Sequence, residues 1–327
     1  MNTQINQQLI IKDDNGAAFY GGDQSWYTSN CRAMAGCSSV AGANVLRTLV
    51  QRDAALKSSI KHSKKIPAGI KYALCDDIPT KEDYSLFMTA MYETMKAFEI
   101  FPLNKIYDRV KRNNKFFNIV KPNTGRSCIG FIRGLLKFAK QFGIELHVHS
   151  LTTAFCDSEK GLDFIRKGLD ESGIVVLLTS FNTHMLRSYT ADSFVLPRDD
   201  NAESEPGVSD EPVKVGTAID SSQKKSKPLM RYPDAKMKCH FAAITGINEP
   251  EPGSPEKRSL VITTWGRVAE TDYDELVKSW KSIKAWESAL FYFTLSDTAT
   301  RKKDARRSYR VFLSGLKQTL LRRGPKA

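Results

Sequence analysis

The order of segments along this chain predicts an α+β fold, with helices first and an antiparallel-looking sheet after them. Helical periodicity dominates roughly the first 142 residues, at 37–50, 82–98, 104–118 and 127–142. Short apolar runs rich in Val, Ile, Phe and Thr then take over, with a single helix-like segment at 158–170 among them. The sequence contains no internal repeat, so a solenoid or propeller is not expected.

The elements follow in order. Residues 18–36 read as an entry loop punctuated by Gly and Ser. A helix follows from Cys37 to about Val50. Its first half is built from Ser38, Ser39, Ala41, Gly42 and Ala43, and Val45, Leu46 and Leu49 carry its apolar face onward. So little bulk and charge predicts a buried helix with other elements close against it. At 127–142 Ile129, Phe131, Ile132, Leu135, Leu136 and Phe138 mark one apolar side. Strands are expected at 143–151, 173–181, 238–247, 258–266 and 288–296. The stretch from Pro197 to Lys227 is rich in Pro, Ser, Asp and Lys and nearly lacks aromatics, so it reads as a flexible loop. Residues 1–296 are therefore expected to form one domain with an insertion at about 183–236. Residues 297–327 form a separate basic helix or tail.

With 41% hydrophobic residues the 327-residue chain can bury a sizeable core. No run approaches the roughly 20 apolar residues a membrane span needs. The N-terminus lacks the basic and apolar regions of a secretory signal, so the expected location is cytoplasmic, or export without that signal. Six scattered cysteines (Cys31, Cys37, Cys75, Cys128, Cys156, Cys239) do not form a disulfide scaffold and predict thiols. The formal charge of +13 is largely local, because residues 301–326 carry ten lysines and arginines against Asp304 alone. In that tail Phe312, Leu313, Leu316 and Leu320 follow helical spacing. Either it meets an anionic membrane or nucleic acid, or it docks on the body through its apolar stripe.

Two residues carry the candidate chemistry. Cys37 follows Gly36 at the start of the buried helix, where unpaired N–H groups and the helix dipole favour a thiolate. His240 lies about 200 residues later at the head of an apolar strand, and a distant histidine brought alongside by the fold is what a cysteine nucleophile requires. A protonated His240 would also lower the Cys37 pKa, making it the most acidic thiol. By contrast Cys128 opens a helix without a motif around it, and His147 with His149 form a strand pair lacking a further ligand.

Four segments occur in a telling order: Gly21-Gly22-Asp23-Gln24-Ser25-Trp26, Gly36-Cys37-Ser38-Ser39-Val40-Ala41, His240-Phe241-Ala242-Ala243-Ile244-Thr245-Gly246 and Val261-Ile262-Thr263-Thr264-Trp265-Gly266. In this the chain resembles the papain-like cysteine peptidases, and most closely the short bacterial papain-like proteins related to bacteriocin-leader-processing peptidases. The resemblance covers roughly 18–50, 173–182 and 237–296. It implies a two-lobe fold, a helical lobe around the Cys37 helix and an antiparallel β lobe carrying His240, with the substrate cleft between them. It assigns Cys37 as nucleophile, His240 as general base and acid, Thr263 as the residue orienting the imidazole and Trp265 as its shield. Gln24 becomes the side-chain donor of an oxyanion hole, and Gly36 and Trp265 line the cleft. Thr263 stands where papains place an Asn, and Gln24 precedes the cysteine by thirteen residues, about twice the papain spacing.

The implied reaction is cleavage of an amide in a peptide or protein through a Cys37 acyl-enzyme, with no metal or organic cofactor. An acyltransferase of the same fold, an inactive papain-like binding scaffold, and a basic nucleic-acid-binding protein with structural Cys and His are the alternatives.

Overall fold

A computed structural model describes residues 7–28, 30–95, 128–153, 156–179, 183–184, 187–189, 236–237, 240–250, 257–281 and 288–296. The helical expectation at 104–118, the 190–235 part of the insertion, the Cys31 side chain, Cys239 and the basic tail at 297–327 lie outside these residues.

Helices α1 (Asn30–Ala35), α2 (Cys37–Arg52), α3 (Ala54–His62), α4 (Ala68–Cys75), α5 (Lys81–Met95) and α6 (Cys128–Gln141) precede most of the sheet; α7 (Ser158–Ser172) and α8 (Tyr273–Lys281) fall among its strands. A small hairpin joins β1 (Ile10–Lys12) to β2 (Ala18–Tyr20). The main sheet contains seven strands, all antiparallel: β3 (Leu146–Thr152), β11 (Ala289–Leu295), β4 (Val175–Thr179), β8 (His240–Asn248), β9 (Ser259–Thr264), β10 (Arg267–Asp272) and β6 (Arg187–Tyr189), in that spatial order. The mixed α+β class follows directly.

Both faces of the sheet are covered, which explains why its strands read as apolar runs and not as alternating patterns. The pleat sends Val176, Leu178, Phe241, Ala243, Phe291 and Phe293 to one face, beneath α2, α5 and α6. Val175, Leu177, Ala242, Ile244, Leu260 and Ile262 go to the other, beneath α7 and α8.

Helix α2 is buried from Cys37 to Val50. Its glycine lets neighbours approach closely: a Cβ on Gly42 would lie 2.7 Å from the Met95 methyl. Asp53 ends α2 in an extended conformation and caps α3, its side chain accepting from Leu56 N. Helix α7 starts at an Asp157 cap and stops at Gly173, whose φ of 74° is the left-handed conformation that ends many helices.

The insertion needs its boundary moved. Strands β5 (Thr183–His184) and β7 (Lys236–Met237) pair across its neck, and Arg187–Tyr189, expected inside the insertion, is the edge strand β6 of the main sheet. Three residues are too few to show a period of 2, so only the pairing identifies this strand.

Candidate active site

Two anchors fix the direction of α2 over the sheet. At its C-terminal end, the Arg52 guanidinium donates to the Asp170 carbonyl, and a Cβ on Gly173 would meet Arg52 and Thr48. The end of α2 therefore lies at the start of β4. Midway, Asn44 Oδ1 accepts from Gly22 N and from the Tyr84 hydroxyl, and a Cβ on Gly21 would lie 2.5 Å from Asn44 and 2.9 Å from Thr263. Thr263 in turn pairs with Ala243. Cys37 lies about 10 Å up the helix from Asn44, and His240 about 10 Å up β8 from Ala243. Because Thr179 at the end of β4 pairs with His240, both steps run toward the same end of the fold.

Cys37 is buried in the core on the α2 face. The chain enters α2 through Gly36 with helical dihedrals (φ −81°, ψ −5°) and without a side-chain cap. A Cβ on Gly36 would lie 2.3 Å from the Tyr27 ring and 2.4 Å from the Arg32 carbonyl, so glycine is needed for this close approach. Tyr27 itself is tied down: its hydroxyl lies 2.6 Å from Ser39 Oγ and donates to the Met88 carbonyl.

His240 is buried at the head of β8, and the period of 2 puts its side chain with Ala242 and Ile244, on the α7 and α8 face. There Nε2 lies 2.6 Å from Thr264 Oγ1, and the ring stacks on Trp265 at 4.5 Å between centroids. The partner of the imidazole is thus Thr264. Thr263, expected in that role, points to the α2 face, where its hydroxyl lies 3.4 Å from that of Thr245. The reason is the pleat: adjacent residues of one strand cannot face the same side. Burial also pushes the His240 pKa down to about 3. The expected protonated imidazole is therefore replaced by a neutral one, since no carboxylate among the described residues offsets the lost hydration.

Trp265 and Gly266 form the two-residue turn between β9 and β10, with Thr264 paired to Arg267. Both have positive φ, 51° and 69°, the pattern of a primed hairpin turn. A Trp in that conformation is strained. The turn is held by the His240 stack, by Gly266 N donating to Gly22 O and by Tyr20 N donating to Gly266 O. These bonds bring the loop carrying Gln24 against the turn beside His240. Gln24 opens a 3₁₀ turn (Gln24–Trp26) capped by Asp23, and it is buried with Oε1 lacking a hydrogen-bond partner among the described residues.

Burial shapes the remaining candidates. Burial raises the Cys128 thiol to about 12 and the Cys156 thiol to about 11, and also raises Cys75. His149 stacks on Tyr292 at 4.2 Å and bonds Thr294 Oγ1, and burial lowers it to about 4. Its ring lies 4.6 Å from that of His147. Among the described residues no group of three or more His, Cys, Asp or Glu side chains converges as metal ligands, and no helix is long and apolar enough to cross a membrane.

Thr264 and Asn44 are the residues that sequence reasoning missed. The Trp265-Gly266 pair between two apolar runs signals a tight hairpin, and from that turn the side of Thr264 can be counted. Asn44 in a helix of small apolar residues carried a comparable signal. No protein-family model matches the chain, and no curated protein or solved structure matches it.

Proposed function

We propose that this protein is a cysteine hydrolase of papain-like architecture that cleaves an amide bond in a peptide or protein. The observation that carries the reading is the common end of α2 and β8. There a buried helix begins with Cys37, and a central strand begins with a histidine held by a hydroxyl and an indole. The orienting residue in this reading is Thr264. The reading requires the tautomer in which Nε2–H donates to Thr264 Oγ1, which leaves Nδ1 as the acceptor. In this reading the neutral imidazole, which leaves β8 on the face opposite Cys37, reaches round the common end of the sheet and acts as general base. It takes the Cys37 proton as sulfur attacks the carbonyl carbon, then returns it to the leaving amine. Water attacks the thioester in the second half, deprotonated by the same nitrogen, and the acid product leaves as the thiol re-forms.

The test is labelling with an electrophilic cysteine probe, mapped by mass spectrometry. Cys37 should label first, and His240→Ala should slow that by about a hundredfold or more. Thr264→Val should slow it about tenfold, because it loosens the ring without removing it, and Thr263→Val should change it less than about twofold. The burial of His240 and the opposite sheet faces of the two side chains favour a second reading, an inactive scaffold of the same fold. Labelling of Cys37 that ignores His240→Ala would establish that reading instead.

A further inference from the structure

We infer that the Ser38 hydroxyl donates a hydrogen bond to the carbonyl oxygen that Cys37 attacks, an inference that rests on the hydrolase reading above. Four Ser and Thr side chains are buried within the described helices. Ser39 Oγ donates to the Gly36 carbonyl, Thr48 Oγ1 to that of Asn44 and Ser172 Oγ to that of Gly168. That is the usual fate of a helical hydroxyl, which bonds back to the preceding turn. Ser38 is the exception. It is 0% exposed, in the first turn of α2, and its Oγ has no hydrogen-bond partner among the described residues.

A buried hydroxyl without a partner is rare in native proteins and points to a ligand or a catalytic use. The side chain of a helical residue leans toward the N-terminus of its helix, so Ser38 Oγ leans toward the end where Cys37 stands. A second unpartnered atom belongs to the same neighbourhood. Gln24 is 8% exposed and its Oε1 lacks a donor, and its 3₁₀ turn leads directly into Tyr27, which packs on Gly36. The carboxamide is symmetric in shape, so turned over it presents Nε2. Two buried groups without a partner among the described residues thus belong to the segments that meet at the start of α2: Ser38 Oγ, which can donate, and the Gln24 carboxamide, which can donate once turned over. The chemistry they fit is an oxygen that gains negative charge during reaction.

In the step itself, Sγ bonds to the carbonyl carbon and the C=O π pair moves onto oxygen, where Ser38 Oγ–H meets it. The thiol proton passes to His240 Nδ1. The pair then returns as the bond to the leaving group breaks, and the leaving group departs with that bond's electrons.

The experiment compares two reagents on the full chain, with modification mapped to Cys37. p-Nitrophenyl acetate acylates through an oxyanion and releases p-nitrophenolate. Iodoacetamide alkylates by direct displacement, so no oxyanion forms. Ser38→Ala should slow acylation by about a hundredfold and leave alkylation within about twofold. Melting temperature supplies a readout independent of reactivity. Removing an unpartnered hydroxyl should leave it unchanged or higher in Ser38→Ala, whereas Ser39→Ala, which loses bonded groups, should melt lower. Equal slowing with both reagents, no slowing of acylation, or a lower melting temperature in Ser38→Ala would overturn the inference and leave the hydrolase reading standing. A wild-type Cys37 that alkylates but never acylates overturns both.

Discussion

At the scale of single residues, His240 illustrates how burial sets chemistry. Its imidazole has a hydroxyl and an indole for company and, among the described residues, no acid, so the charged form loses hydration without compensation. The folded pKa of about 3 lies below the ordinary value of 6.5. Between those values the unfolded chain binds a proton that the folded chain refuses, so stability falls as pH falls through this window. The expected loss is about 1.4 kcal/mol per pH unit below about pH 6.5. Urea titrations at pH 5 and pH 7 should show it, and His240→Gln should flatten the difference. His149 is shifted in the same direction, but it is only half-buried and solvent screens it, so a residual slope from it should be small.

At the scale of elements, α2 is the axis of the molecule, and Arg47 is its most demanding residue. The side chain is 0% exposed, and it is neutralised by carbonyl dipoles where a carboxylate would be usual. Nε donates to Gln8 O at 2.6 Å, Nη1 to Ala73 O at 2.6 Å, and Nη2 to Asp76 O at 2.9 Å and Asp77 O at 2.8 Å. One guanidinium thus ties the segment before β1 and the end of α4 to α2. Arg47→Met keeps the volume and removes the donors, leaving those carbonyls dry; it should destabilise by about 3 kcal/mol in a urea titration. At the other end of the helix, Gly36→Ala would force a methyl into the Tyr27 ring and the Arg32 carbonyl. It should cost about 2 kcal/mol and also slow Cys37 labelling, since Tyr27 holds the entry to α2 through Ser39. The extent of α2, α6, α7 and the five strands foreseen was legible because each carries its own periodicity or apolar run. Helices α3, α4 and α8 and strands β6 and β10 were not read, being short or polar and defined by what they pack against.

At the scale of the whole molecule, two cores share one sheet. Leu177 and Leu178 are neighbours in β4, yet Leu177 belongs to the core under α7 and α8 and Leu178 to the core under α2, α5 and α6. Because β4, β8 and β11 contribute to both, neither core can open without losing the strands of the other. Leu177→Ala and Leu178→Ala should each cost about 2–5 kcal/mol and should each move one common transition. In a Trp26→Phe, Trp286→Phe background, the fluorescence of Trp265 and Trp280 reports on the second core and should then coincide with far-UV circular dichroism. Separate transitions by the two probes would show that the cores unfold independently.

The same sheet divides what could be known early from what could not. The mixed α+β class, the buried helix beginning at Cys37 and the strand beginning at His240 were set by local pattern, since small residues in sequence pack closely and apolar runs cannot stay in water. Cys37, His240 and Trp265 could be singled out from the order of short segments. Which threonine meets the imidazole was a different kind of question. Thr263 and Thr264 are chemically identical neighbours, and only strand register decides which side of the sheet each faces. The charge on His240, the unpartnered Ser38 hydroxyl and the strain at Trp265 depend likewise on what the folded chain places around a side chain. A sequence states the group; its hydration and its partners exist only after packing has excluded water from it.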